Sequence, residues 1–136
     1  MAGYSETPLV KKLGIKAGFN IAFVNPPSDF VPGLDLPSET IVCSASSRKP
    51  LDLVLLFVES KQELARRFSL FAARLKPNGM LWVSWPKKAS GVKTDLTENV
   101  VRELGLSVGL VDVKVCAVDE VWSGLKFVFR LQDRPL

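Results

Sequence analysis

A short basic segment, residues 86–94, carries the side chains best suited to holding an anion. It supplies three lysines within seven positions, two hydroxyl side chains and one glycine: Lys87, Lys88, Ser90, Gly91, Lys93 and Thr94. Ammonium and hydroxyl groups donate hydrogen bonds to phosphate, sulfate or carboxylate oxygens, and glycine lets the backbone approach a ligand closely. The pattern predicts an anion-binding loop. The alternative interpretation is a solvated basic loop whose serine, glycine and threonine serve turns.

Two other residues, Asn25 and Trp85, are candidates for the wall of a pocket. Each stands at the end of an apolar stretch that has the length of a β-strand. In an open α/β sheet, ligands bind beyond the carboxyl ends of the parallel strands, which is where both residues would lie. The alternatives are a rigid turn at Asn25-Pro26-Pro27 and core filling by Trp85.

The amino-acid composition limits the kinds of site that this chain can form. The 136 residues suit one domain spanning residues 1–136, with 47% hydrophobic and 24% charged residues and a net charge of +4. The chain has no histidine, which excludes histidine-based acid–base catalysis and most zinc and haem sites, so no metal site is predicted. No apolar run approaches the ~20 residues that cross a bilayer, and residues 1–8 lack the apolar core of a signal peptide. We therefore expect a cytoplasmic protein without membrane contact.

The elements that position the loop follow from periodicity. Residues 51–58 contain seven apolar residues in eight, which indicates a strand covered on both faces. Ser60 and Glu63 then form a capping box before a helix-period apolar face, and residues 80–85 make the next strand. This unit predicts two adjacent parallel strands joined by a right-handed crossover.

The remaining elements are shorter or less regular. We expect strands at residues 20–24 and 40–43, a helix capped by Asp95 and ended by Gly105, and an antiparallel strand pair at residues 111–117 and 125–131. Cys43 and Cys116 each lie in an apolar stretch, which indicates buried free thiols; the alternative is a disulfide.

Two segments resemble class I methyltransferases. They are Leu51-Asp52-Leu53-Val54-Leu55-Leu56, similar to that family's central strand, and Leu75-Lys76-Pro77-Asn78-Gly79-Met80-Leu81, similar to its turn and strand after the following helix. The resemblance implies an α/β fold, a Rossmann-like three-layer sandwich. Its mostly parallel sheet would have the order 2-1-3-4-6-5, with one family strand missing and an antiparallel pair at the carboxyl terminus.

The chain departs from that family where the family holds its cofactor. A glycine-rich turn follows the family's first strand, whereas this chain has Asn25-Pro26-Pro27 and no glycine before Gly33. Two prolines fix the backbone and remove N–H donors. The acidic residue expected after the second strand is replaced by Cys43-Ser44. We therefore expect no S-adenosylmethionine binding and predict no cofactor. Asn25-Pro26-Pro27 resembles an amino-group methyltransferase motif, but Ser28 stands where its aromatic residue belongs.

A second resemblance covers essentially the whole chain. Five segments resemble a family of small bacterial proteins that has no assigned activity: residues 4–9, 12–16, 85–91, 94–97 and 119–125. This resemblance implies a bacterial cytoplasmic protein and brings no catalytic residue.

Together these patterns favour a non-catalytic Rossmann-like binding or interaction domain. The alternative is an enzyme acting on an anionic small molecule, with Lys87 or Lys88 polarising it and Ser90 positioning it. Nucleic-acid binding is disfavoured because the lysine clusters lack interleaved aromatic residues. The sequence gives no indication of oligomeric state.

Overall fold

The computed structural model describes residues 8–133. Residues 4–7, which belong to the first segment that resembles the small bacterial family, therefore lie outside the described part. Six strands form one sheet of order β2-β1-β3-β4-β6-β5. The strands are β1 (Asn20–Val24), β2 (Ile41–Cys43), β3 (Leu51–Phe57), β4 (Leu75–Pro86), β5 (Leu110–Ala117) and β6 (Trp122–Phe129). Strands β1 to β4 run parallel, whereas β6 pairs antiparallel with both β4 and β5. The predicted α/β fold class and strand order are confirmed.

Helices cover the two faces of this sheet unequally. The helices are α1 (Leu9–Leu13), α2 (Lys61–Ala72) and α3 (Glu98–Val108), with short 3-10 turns at Lys88–Ser90 and Leu131–Asp133. Buried residues of α2 and α3 pack on one face, where they share a core with Trp85 and Phe127. The opposite face is covered by α1 and by the segment between β1 and β2, against Trp82 and Phe57. The Trp82 indole Nε1 donates to the Leu13 carbonyl (2.9 Å) and fixes α1 to the sheet.

The β3–α2–β4 unit forms as its pattern predicts. Strand β3 pairs parallel with β4, and Leu64, Phe68 and Phe71 of α2 are buried against the sheet. The Ser60 hydroxyl accepts from the Glu63 amide (3.1 Å), as in a capping box. The Glu63 carboxylate, however, accepts from the Glu59 amide (2.9 Å), one residue earlier than the sequence predicts.

The limits of α3 differ from the prediction at both ends. Thr97 is the cap, since its hydroxyl accepts from the Val100 amide, so the assignment of this role to Asp95 is wrong. The helix passes through Gly105 and ends at Gly109, whose φ of +105° suits glycine.

Two strand predictions are also corrected. Residues 76–79 were expected to form a turn after α2, but they belong to the first half of β4. The strand predicted at residues 111–117 is not regular, because Val113 is an extra residue between the Asp112–Phe127 and Lys114–Lys126 pairs of β5 and β6. Both cysteines are free, and Cys43 is buried, but Cys116 is only half-buried. Within residues 8–133 no helix is long and apolar enough to span a membrane.

Candidate functional site

A cleft of about 760 Å³ lies at the carboxyl ends of β3 and β4. Four of the six residues predicted to bind an anion line it: Lys88, Gly91, Lys93 and Thr94. The other two, Lys87 and Ser90, are not among the residues that line this cleft. The Lys87 amide donates to the Val121 carbonyl (2.7 Å), and the Ser90 hydroxyl donates to the Lys87 carbonyl (2.7 Å). The structure therefore gathers most, but not all, of the predicted residues around one open space.

Gly91 gives the loop its shape. Its φ of +80° falls in the left-handed region, which residues with a Cβ rarely adopt. No atom lies within 4 Å of a Cβ built on this glycine, so the backbone here borders open space. The loop thus turns at Gly91 and presents Lys88 and Lys93, both exposed, on either side of the turn.

The second half of the loop is tied to the beginning of α2. The Thr94 hydroxyl donates to the Glu59 carbonyl (2.6 Å) and accepts from the Leu96 amide (3.1 Å). One Asp95 carboxylate oxygen accepts a hydrogen bond from the amide of Lys61, the first residue of α2 (2.8 Å). These bonds hold the amino-terminal ends of α2 and α3 beside the same cleft.

The charges around the cleft have both signs. Lys88, Lys93 and the amino-terminal end of α3 contribute positive potential. Glu59 and Asp95 add carboxylates, and Asp95 already occupies the first amide of α2. A neighbouring depression of about 520 Å³ shares Lys93 and brings in Arg66 from α2. Glu59 lies where the position just beyond the carboxyl end of β3 predicts, whereas Asp95 was predicted as a helix cap and not as a cleft residue.

Aromatic rings pack together at the ends of β1 and β3, the strands that flank the usual ligand crevice of such a sheet. The topological switch point, where connections leave in opposite directions, lies between β1 and β3. There the Phe30 ring packs edge-to-face on Phe23 of β1 and Phe57 of β3, with centroids 6.1 and 5.0 Å apart. Phe57 also meets Trp122 of β6 (5.1 Å). No local pattern predicts this role for Phe30, because its contact with Phe57 joins residues far apart in the chain.

The two candidates for a pocket wall have different environments. Trp85 is 5% exposed and packs in the core beneath α2 and α3. Asn25 is exposed and has a left-handed backbone, with φ of +54°. The two prolines that follow Asn25 supply no amide N–H at the end of β1. A pocket wall made by Asn25 and Trp85 stays a prediction.

Comparison with known proteins identifies the scaffold. No protein-family model and no curated protein matches the chain. Among solved structures, a SAM-dependent methyltransferase from Aquifex aeolicus has a TM-score of 0.62 at 14% identity, over 88% of this chain and 86% of that one. A precorrin-6y methyltransferase from Geobacter metallireducens has a TM-score of 0.61 at 9% identity, over 90% of this chain and 86% of that one.

A methyltransferase from Pyrococcus furiosus is similar as well. Its TM-score is 0.58 at 10% identity, over 88% of this chain and 78% of that one. At such identities the similarity establishes a methyltransferase-like fold. It does not extend to activity.

Proposed function

We propose that this chain is a non-catalytic binding domain that keeps a methyltransferase-like scaffold and holds a small anionic molecule in the cleft formed by the 86–94 loop. The observation that carries the proposal is the Phe30 ring, packed against Phe57 at the switch point. A ligand at the position usual for this sheet topology would first have to displace that ring. An open cleft lies at the ends of β3 and β4, and a smaller one of about 400 Å³ lies between α1 and residues 33–37.

The chemistry of the cleft supports an anionic ligand. Lys88 and Lys93 supply two ammonium groups, and Gly91 leaves its backbone accessible. A phosphate, sulfate or carboxylate group between the lysines would also meet the amino-terminal end of α3. The carboxylates of Glu59 and Asp95 restrict where such a group can lie, because it must stay on the lysine side of the cleft.

Backbone NMR with inorganic pyrophosphate as the probe tests this proposal. We expect the amide signals of Lys93 and Thr94 to shift on titration. Changing Lys88 and Lys93 together to Ala should weaken binding about tenfold or more, since a hydrogen bond to a charged group contributes ~1.5–3 kcal/mol. The matched control changes Lys11 and Lys16, which are exposed lysines outside the cleft. Unshifted loop amides, or equal affinity in both double variants, would contradict the proposal.

An enzyme acting on an anionic small molecule is the second candidate. The observation that favours it is the Glu59 carboxylate, which lines the same cleft as the two lysines and could transfer a proton. Mass spectrometry of each ligand recovered after incubation distinguishes the candidates. A product that Glu59→Gln abolishes without loss of binding supports an enzyme, whereas unaltered ligand supports a binding domain.

The assignment to a family of small bacterial cytoplasmic proteins is part of the same proposal. It rests on the sequence resemblance of residues 85–91, 94–97 and 119–125, which includes much of the loop. A bacterial homologue that shares these segments and shows the same shifts in the loop amides would support it, and one that lacks the response would count against it.

A further inference from the structure

A second basic cluster lies on the sheet face that α1 covers. Lys114 of β5 pairs with Lys126 of β6, and the Lys114 ammonium reaches the carbonyl of Lys12 at the end of α1, near the half-buried Cys116. All three positive charges act to lower the pKa of that thiol, although burial outweighs them and raises it. Three lysines from three different elements therefore meet on this face of the sheet.

The bulge in β5 is responsible for this arrangement. Asp112 pairs with Phe127, and after the extra residue Val113 the next pair is Lys114 with Lys126. Residues two apart in a regular strand share a face, but the bulge separates them. Asp112 consequently binds Arg102 of α3, whereas Lys114 lies beside Lys126 and away from that carboxylate.

Among residues 8–133, the contacts found for Lys114 and Lys126 are with neutral groups. The Lys114 ammonium donates to the Lys12 carbonyl oxygen (3.0 Å), a neutral acceptor. The Lys126 ammonium lies 5.9 Å from the centre of the Trp82 ring, also a neutral partner. The ion pairs found among residues 8–133 use other cations: Arg67, Lys76 and Arg102. Like charges directly opposite on a strand pair destabilise it, so the cluster favours an anion.

The floor of the cluster is rigid. Trp82 is fully buried, and its indole N–H is fixed by the Leu13 carbonyl at the end of α1. Lys126 rests over this ring, and the bond from Lys114 holds the same end of α1. These contacts reduce the side-chain entropy that Lys114 and Lys126 lose when an anion binds.

We propose that Lys12, Lys114 and Lys126 form a binding site for a phosphoryl group beside the Cys116 thiol, with Lys126 resting on the buried Trp82 ring. The ligand class is a small molecule that carries a phosphate or diphosphate, whose oxygens accept from several ammonium groups at once. This site lies on the face covered by α1, away from the loop cleft, and does not depend on the function proposed for that cleft.

The Cys116 thiol provides a local readout. In a Cys43→Ser background, Cys116 is the one cysteine left, and its rate of alkylation by a neutral maleimide can be followed by mass spectrometry. Inorganic pyrophosphate at about 10 mM should slow that alkylation severalfold, because the bound anion covers the thiol and this concentration exceeds even a millimolar dissociation constant. Sodium chloride at equal ionic strength should not.

Variants separate the site from general charge effects. Changing Lys114 and Lys126 together to Ala should abolish protection, and Lys12→Ala should weaken it. Lys11→Ala with Lys16→Ala should leave protection unchanged, and so should the Lys88 and Lys93 double variant, which tests the other cleft. Unchanged alkylation in the parent protein, or equal protection in the Lys114 and Lys126 variant, would overturn the proposal. Protection by an oligonucleotide but not by pyrophosphate would also overturn it, in favour of nucleic acid.

Discussion

Replacing Gly105 by Ala tests the position of α3, the helix whose beginning borders the cleft. A Cβ built on Gly105 would lie 2.1 Å from Cε1 of Phe127 and 2.6 Å from its Cδ1 and Cζ, where ordinary contact begins near 3.4 Å. Phe127 is fully buried and packs edge-to-face on Phe68, with centroids 5.3 Å apart. The ring therefore has no free space to move into, and α3 must shift away from β6.

The expected change in the free energy of unfolding for Gly105→Ala is the difference between two opposed effects. Alanine in a helix interior is favoured over glycine by ~1 kcal/mol. Overpacking a core costs ~1–3 kcal/mol, and a contact this short belongs at the upper end. We expect Gly105→Ala to lower the free energy of unfolding by ~1–2 kcal/mol. In urea, with a slope of ~1–3 kcal/mol per molar, the midpoint should fall by roughly 1 M.

Two controls isolate the cause. Ser107→Ala lies on the exposed side of the same helix and should change stability by no more than ~0.5 kcal/mol. Phe127→Leu removes the ring, so the double variant with Gly105→Ala should be more stable than the sum of the single effects predicts. If Gly105→Ala stabilised the protein by about the helix preference alone, α3 would not lie against Phe127 and the cleft geometry would be wrong.

Two further predictions concern the charges near the two sites. Asp95→Ala removes the acceptor of the Lys61 amide and should lower the free energy of unfolding by ~0.5–2 kcal/mol, measured by thermal unfolding. Asp95→Asn keeps an acceptor oxygen and should keep most of the parent protein's stability. Equal melting of all three proteins would refute the stabilising role of the Asp95–Lys61 hydrogen bond. Burial, and then Lys114, lower the pKa of Lys126, so at alkaline pH the unfolded chain binds more protons than the folded one and stability rises with pH between the two pKa values. Lys126→Met should lack this rise and be up to ~1 kcal/mol more stable at pH 7, and an unchanged pH profile would contradict the assignment.

The sequence predicted the β3–α2–β4 unit because its signals are local and agree with one another. The apolar run of β3 and the capping box at Ser60 specify the unit without reference to the rest of the chain. The strand order followed from the resemblance of this unit to a known sheet. Much of the anion loop was found for a similar reason, since Lys88, Gly91 and Lys93 lie close together in sequence and stay together in space.

The errors arise where distant residues decide between equal local signals. Asp95 and Thr97 are both good helix caps, and the Lys61 amide of another helix takes the Asp95 carboxylate. Gly105 resembles a helix end, yet the Phe127 ring requires a residue without a Cβ inside the helix. The Phe30 contacts could not be predicted either, because no local pattern pairs Phe30 with a strand 27 positions later.

The most direct test of the account is titration calorimetry with S-adenosylmethionine. The absence of a glycine turn after β1 and the Phe30 ring at the switch point both oppose binding. A methyltransferase of the same fold, run in the same buffer, provides the positive control. We predict no binding tighter than about 100 μM, a free energy weaker than ~5.5 kcal/mol. A micromolar dissociation constant would contradict the account and restore methyl transfer as the function of this scaffold.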